Sequence, residues 1–145
     1  METNGISYVI LAASSTFVMG IVHGMYTGGF RKQAKIPYPN AYATAEEASK
    51  NTLAWQFNAA QRAHANYQEN QTSVLAAILI AGLKYPLISA GLGAAWTVNR
   101  FFFMTGYTNA KKSDGSGRFN GAAFWLCQFA LFGLSIATGV SMLKN

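Results

Sequence analysis

Four apolar runs separated by short polar connectors set the pattern of this chain. The first runs from Ile6 to Phe30, holds no charged residue and contains one histidine, His23. A helix needs roughly 20 residues to cross a hydrocarbon core of about 30 Å, so this run is long enough. Arg31 to Lys50 is polar, and Pro37 and Pro39 stop the first helix there and predict an extended connector. A second helix is expected from Asn51 to Leu83, amphipathic at its start and wholly apolar from Val74. At about 1.5 Å per residue it would be near 50 Å long and project beyond a bilayer. After a turn at Lys84, Tyr85 and Pro86, a third helix is expected over 87–107. Asn109 to Phe119 is polar and glycine-rich, hence a loop, and a fourth helix is expected over 121–143. The pattern predicts one all-α domain, a four-helix integral membrane bundle.

Composition supports the membrane class. Only 11% of the 145 residues are charged, against about 25% in soluble domains. The net charge of +6 does not point to nucleic acid, because the basic residues cluster in two connectors. Arg31, Lys32, Lys35 and Lys50 lie in one, and Lys111, Lys112 and Arg118 in the other. The opposite side has Lys84 and Lys144, with Glu2. The positive-inside rule then places both termini away from the cytoplasm. The start of the chain shows no basic n-region and no small-residue cleavage site, so the first run is expected to remain as an anchor. Gly20, Gly24, Gly28 and Gly29 form a face on the first helix that would let another helix approach closely. Cys127 is the single cysteine and is read as a small core thiol.

Charged residues inside membrane helices are costly and mark functional sites by default. On a wheel of about 100° per residue, Asn58, Arg62, Asn66, Glu69 and Ser73 fall on one narrow stripe. Arg62 and Glu69 are two turns, about 10 Å, apart along the axis. They are expected to bracket a zwitterion, Arg62 meeting a carboxylate and Glu69 an ammonium. The bland reading is an internal polar network that ties the bundle together. Arg100, Phe103 and Tyr107 share a face of the third helix. Tyr107 is either a hydrogen-bond donor to a ligand or an interfacial belt tyrosine. His64 points away from the stripe and is read as a packed histidine or a supporting residue. No metal-ligand spacing, phosphate loop or Ser/His/Asp pattern stands out.

The segment Phe57-Asn-Ala-Ala-Gln-Arg-Ala-His-Ala-Asn-Tyr-Gln-Glu69 resembles the second-helix signature of the MAPEG family, the membrane-associated proteins of eicosanoid and glutathione metabolism. Arg31-Lys-Gln-Ala-Lys-Ile-Pro-Tyr-Pro39, Ser89-Ala-Gly-Leu-Gly-Ala-Ala-Trp96 and Gly106-Tyr107 extend the resemblance over nearly the whole chain. Within the family it is most similar to the branch of type 3 microsomal glutathione S-transferases. The resemblance implies a homotrimer of four-helix subunits in the endoplasmic reticulum or the outer mitochondrial membrane. It implies glutathione bound between subunits near the cytoplasmic side, and a lipophilic electrophile or lipid hydroperoxide entering from the bilayer. The implied activity is glutathione transfer with peroxidase activity; the family also contains a non-enzymatic lipid-binding adaptor.

By the same resemblance Arg62, Asn66, Glu69 and Tyr107 hold glutathione. Arg31 reaches it from the adjoining subunit, and Arg118 stabilises its thiolate, with Lys111 and Lys112 as alternatives. Lys32, His64 and Arg100 are possible supporting residues. No metal is implied. Departures are Phe103, where a related branch has a tyrosine, Asn70, which replaces another tyrosine, His64 in place of a glutamine, and Lys32 in place of an arginine.

Overall fold

The computed structural model of the protein describes residues 5–143. Glu2 and Lys144, which entered the charge count, lie outside them. The described residues form five α-helices and two short 3-10 turns, with no strand among them. The helices are α1 (Ile6–Ala34), α2 (Ala45–Lys50), α3 (Thr52–Gly82), α4 (Pro86–Tyr107) and α5 (Phe124–Met142). α1, α3, α4 and α5 are the long helices of the bundle. The end of α1, the start of α3, the end of α4 and the start of α5 gather at one end of the molecule. Gln56 Nε2 donates to Thr108 O at 2.9 Å there, and the Tyr26 and Thr108 hydroxyls meet at 2.7 Å.

The helix ends differ from expectation where local chemistry overrides hydropathy. α1 continues past Phe30 to Ala34, and its stop is not proline alone. Lys35 turns left-handed (φ 57°), and Ile36 N–H returns to Arg31 O at 3.2 Å. That closes the helix by a Schellman-type bond. The connector then carries a separate short helix, α2, which the apolar pattern does not reveal. Thr44 and Glu47 form a capping box that starts it. Asn51 caps α3 by accepting from Leu53 N–H at 2.9 Å. α5 begins at Phe124 rather than at Gly121, because Ser116–Gly121 is a 3-10 turn pressed on α4. A Cβ at Gly121 would stand 2.2 Å from Asn99 O, so only glycine fits that contact.

By length and composition, α1 and α5 are the helices apolar enough to cross a bilayer, where four such spans were expected. α3 and α4 are long, with 31 and 22 residues. The ionic stripe in α3 and the Asn99–Arg100 pair in α4 lower their hydropathy. These are also the helices that build the polar site.

Lipid offers helices little hydrophobic reason to associate, so close packing and buried hydrogen bonds must do it. Gly82 faces Val9 and Gly93 faces Ile78 so closely that a Cβ at either would fall under 3 Å from its neighbour. Tyr67, fully buried, donates its hydroxyl to Thr16 O, and Gln71 Nε2 donates to the same oxygen at 3.1 Å. Ser89 Oγ donates to Ile78 O at 2.6 Å, and Ser15 and Thr97 hydroxyls meet at 3.1 Å. On α1, Gly20 packs against Tyr67, whereas Gly24, Gly28 and Gly29 have no neighbour within 4 Å of a built Cβ. The glycine face thus serves this chain's own packing at Gly20 alone. Cys127 is a half-buried free thiol.

Candidate functional site: a cationic cleft at one end of the bundle

Helical phase puts Arg62, Asn66 and Glu69 on one face of α3, and the fold points that face at α4 and α5. A cleft of ≈ 380 Å³ opens there, lined by Arg62, Asn66, Phe103, Tyr107, Arg118, Phe124 and Trp125. Arg62 and Tyr107 also line a second compartment of ≈ 220 Å³, with Trp55, Asn58, Ser113 and Asp114. The two compartments therefore share a wall.

The loop after α4 places Arg118. Gly106 and Gly117 bring two backbones together: a Cβ at Gly117 would lie 1.9 Å from Gly106 O. Gly115 is left-handed (φ 75°) and passes over the Tyr107 ring, where a Cβ would be 2.9 Å from Tyr107 Cε2. Arg118 Nη1 donates to Gly115 O at 3.0 Å, and its guanidinium lies 4.6 Å from the Phe119 ring and 5.8 Å from the Tyr107 ring. Lys111 and Lys112 are exposed and do not line the cleft. Of the three basic residues in the loop, Arg118 is the one that lines the cleft. Asp114 accepts from Ser116 N–H at 2.9 Å, and that bond holds its carboxyl below the usual value.

The stripe is bonded to itself: the two charges expected to bracket a zwitterion meet each other in this structure. Arg62 Nη1 donates to Glu69 Oε1 at 2.8 Å. Two long side chains on one face bridge two turns, so the axial gap does not keep them apart. Asn66 Nδ2 donates to Glu69 Oε2 at 3.4 Å, and Arg100 Nη1 donates to Asn66 Oδ1 at 2.9 Å. The order is Arg62, Glu69, Asn66, Arg100. The remaining stripe residues serve other ends. Asn58 ties the connector to α3 through Ala43 N–H and Ala43 O, at 2.8 and 2.9 Å. Ser73 Oγ donates to Asn70 O at 3.0 Å within its own helix.

Arg100 is fully buried. Its guanidinium lies 4.2 Å from the Phe124 ring, 4.6 Å from Phe103, 5.5 Å from Tyr67 and 5.6 Å from Trp96. Aromatic faces attract a cation. Its Nε and Nη2 have no hydrogen-bond partner among the described residues. Among the described residues the ion pairs are Arg62–Glu69 and Lys50–Glu46, so neither Arg100 nor Arg118 meets a carboxylate. Arg62, Arg100 and Arg118 thus stand in or behind the cleft, against Glu69 and, in the adjoining compartment, Asp114, an excess of positive charge that favours an anionic ligand.

Other expected site residues lie apart. Arg31 Nη1 donates to Asn40 O at 2.7 Å, and its guanidinium sits over the Tyr38 and Phe57 rings, at 4.3 and 4.6 Å. Lys32 is exposed beside it. Neither lines the cleft. His64 turns toward α1, with its ring centroid 6.0 Å from that of His23, which stacks on Tyr67 at 4.6 Å.

Sequence reasoning missed Phe124, Trp125 and Gln128. Gln128 Nε2 donates to Asn70 Oδ1 at 2.9 Å, and Gln128 Oε1 accepts from Trp96 Nε1 at 3.1 Å. This bridge joins α5 to α3 and α4. A signal was present: Gln128 is the single amide in the apolar run of α5. Beyond Glu69 an apolar groove of ≈ 470 Å³ begins at Ser73 and runs between α3 and α5, past Ala77, Ile80, Phe132 and Ile136. A second apolar groove, ≈ 450 Å³, lies between α1 and α4 near Tyr8 and Leu87, at the other end of the bundle from the charges.

A sequence model of the MAPEG family matches residues 9–137, from the first turn of α1 into the last turns of α5. With the two apolar helices, the match marks a membrane protein. The stripe on α3, the helical bundle and this match over most of the sequence converge: the chain belongs to the MAPEG family.

Proposed function

We propose that the protein is a membrane glutathione transferase, similar to the type 3 microsomal glutathione S-transferases. In this reading it activates glutathione as a thiolate for conjugation to lipophilic electrophiles and for reduction of lipid hydroperoxides. The observation that carries the reading is the cleft itself, where Arg118 and Tyr107 stand beside Arg62 and Asn66 with cations in excess. Glutathione carries two carboxylates and one ammonium. Its net negative charge suits this surplus, and the Arg62–Glu69 pair can open to meet the opposite charges of its zwitterionic end. In the homotrimer that family resemblance implies, Arg31 would reach the ligand from the neighbouring subunit, with Lys32 beside it.

The chemistry asks for a cation near sulfur. A free thiol has a pKa near 8.5, so little thiolate exists at neutral pH. Each unit by which a neighbouring cation lowers that pKa corresponds to about 1.4 kcal/mol. Arg118 lines the cleft and meets no carboxylate among the described residues, and the Tyr107 phenol can donate to the same sulfur. In conjugation the thiolate forms a C–S bond, and the displaced pair leaves with the leaving group or takes a proton. In reduction the sulfur attacks one peroxide oxygen and the O–O bond breaks. The lipid alkoxide takes a proton to become the alcohol, and glutathione becomes its sulfenic acid. A second glutathione condenses with it, giving the disulfide and water. The groove that starts at Ser73 offers an apolar surface to a lipophilic acceptor.

The test is turnover of a model electrophile and of a lipid hydroperoxide by the purified protein in detergent, with calorimetric titration of glutathione. Glutathione binding with turnover of either substrate supports the reading. Fatty-acid binding with no heat from glutathione would replace it with that of a lipid-binding adaptor. Fluorescence of a tagged protein in cells separates the endoplasmic reticulum, the proposed location, from the outer mitochondrial membrane.

A further inference from the structure

Arg100 is a full positive charge buried where the proposed chemistry does not use it. Its one hydrogen bond to a cleft-lining side chain among the described residues is to Asn66, whose Oδ1 accepts from its Nη1 at 2.9 Å. Phe103 and Phe124 cover it on the cleft side, within 4.6 Å and 4.2 Å of the guanidinium. It therefore does not reach a ligand in the cleft. Asn66 does line the cleft.

An asparagine amide has nearly the same shape in its two flipped orientations. Only hydrogen bonding decides which end faces which way. A guanidinium has donors and no acceptor. Arg100 can therefore bond the amide oxygen of Asn66 and never its NH2 group. The flipped amide would turn NH2 toward a buried cation and strip Nη1 of its acceptor, while Nε and Nη2 already lack one. With oxygen held inward, the NH2 faces Glu69 and the cleft. Its bond to Glu69 Oε2 is long, at 3.4 Å, which leaves donor capacity for a ligand. No other donor-only side chain bonds this amide among the described residues; Asn70 Nδ2 bonds the Asn66 backbone carbonyl instead, at 2.8 Å.

We propose that Arg100 is a positioning residue that locks the Asn66 amide as a hydrogen-bond donor to the cleft, so that this position recognises an acceptor such as a ligand carboxylate. The inference rests on the reading that the cleft binds glutathione.

The experiment measures the Kd of glutathione by calorimetry on purified protein, with folding checked by circular dichroism and elution volume. The variants are Arg100→Lys, Arg100→Gln and Asn66→Ala, with each Arg100 change also made in the Asn66→Ala background. Lysine, like arginine, only donates, so it keeps the amide locked. Glutamine is polar and similar in length but can accept, so it frees the amide to flip. A donor to a charged group is worth enough that Asn66→Ala and Arg100→Gln should each weaken binding about tenfold, and Arg100→Lys no more than about threefold. In the Asn66→Ala background, neither Arg100 change should weaken binding further, because a residue acting through Asn66 has nothing left to position.

Equal losses in Arg100→Lys and Arg100→Gln would overturn the proposal. So would losses that persist without the Asn66 amide, which would mean that Arg100 acts by its charge or by packing. Wild-type protein that takes up no glutathione would sink the functional reading, and this proposal with it.

Discussion

Arg62 Nη1 and Glu69 Oε1 stand 2.8 Å apart, across two turns of one helix, and both side chains are about half exposed, at 49% and 53%. Exposed pairs contribute little to folding, because water screens them. Glu69→Gln should therefore leave the melting temperature within a few degrees of wild type. Its effect belongs to binding. Arg62→Ala is expected to raise the KM for glutathione at least tenfold, since a charge-assisted bond contributes about 1.5–3 kcal/mol. Steady-state kinetics beside thermal melts would separate the two. A large loss of stability in Glu69→Gln would return the stripe to the role of a structural network.

Arg118→Ala should act on the thiolate rather than on uptake of glutathione. A cation beside sulfur lowers the thiol pKa, and removing it raises that pKa. At fixed neutral pH less thiolate forms and kcat falls, by about 10-fold for each unit lost. The ascending limb of the pH–rate profile should move up in pH by the same amount, so that activity recovers as pH rises. Arg118→Lys should move it less. The pH–rate profile and the ultraviolet absorbance of bound thiolate measure this directly. An unchanged profile would mean that another cation, Lys111 or Lys112 included, serves the sulfur.

The loop that holds Arg118 depends on glycines in contact. At Gly117 a Cβ would meet Gly106 O at 1.9 Å, a backbone atom that cannot step aside. Gly117→Ala is expected to detach the loop from α4, removing most activity and lowering the melting temperature by several degrees. Gly24→Ala, on the open face of α1, meets nothing within 4 Å in this chain and should not disturb the bundle's own packing. Melts and turnover on both variants test the contrast. Gly117→Ala with full activity would show that Arg118 need not be held.

Helix α2 offers a pH test away from the bilayer helices. Glu47 accepts from Thr44 N–H and Thr44 Oγ, at 2.8 and 2.9 Å, and these bonds hold its carboxyl below the ordinary value. A depressed carboxylate pKa stabilises the fold above the unfolded value, and the contribution disappears as pH falls through the lowered folded value. Amide hydrogen exchange over Ala45–Lys50 should accelerate on acidification through that window. Thr44→Ala should exchange fast throughout, with little further response. Equal pH responses in both proteins would show that the capping box does not govern α2.

Much of this architecture is legible along the chain because it rests on periodicity. A run of apolar residues states its own length, and phase on a helix wheel needs no partner, so the stripe Arg62, Asn66 and Glu69 and the shared face of Arg100, Phe103 and Tyr107 follow from spacing alone. Local capping is less visible in hydropathy: α2, the Lys35 turn and the late start of α5 depend on single hydrogen bonds and single glycines. Gln128 carried a signal, an amide in apolar surroundings, but its partners Asn70 and Trp96 lie on other helices, and spacing cannot name them.

The sequence by itself determined the four long helices, the charged stripe and the surplus of basic residues. Tertiary structure decided which charges meet. It closed Arg62 onto Glu69, brought Arg118 rather than Lys111 or Lys112 to the cleft, and sealed Arg100 among four aromatic rings. The reason is physical. Periodicity is set by the backbone of one helix, whereas the partner of a charge is set by how several helices pack and by where glycine lets two backbones touch.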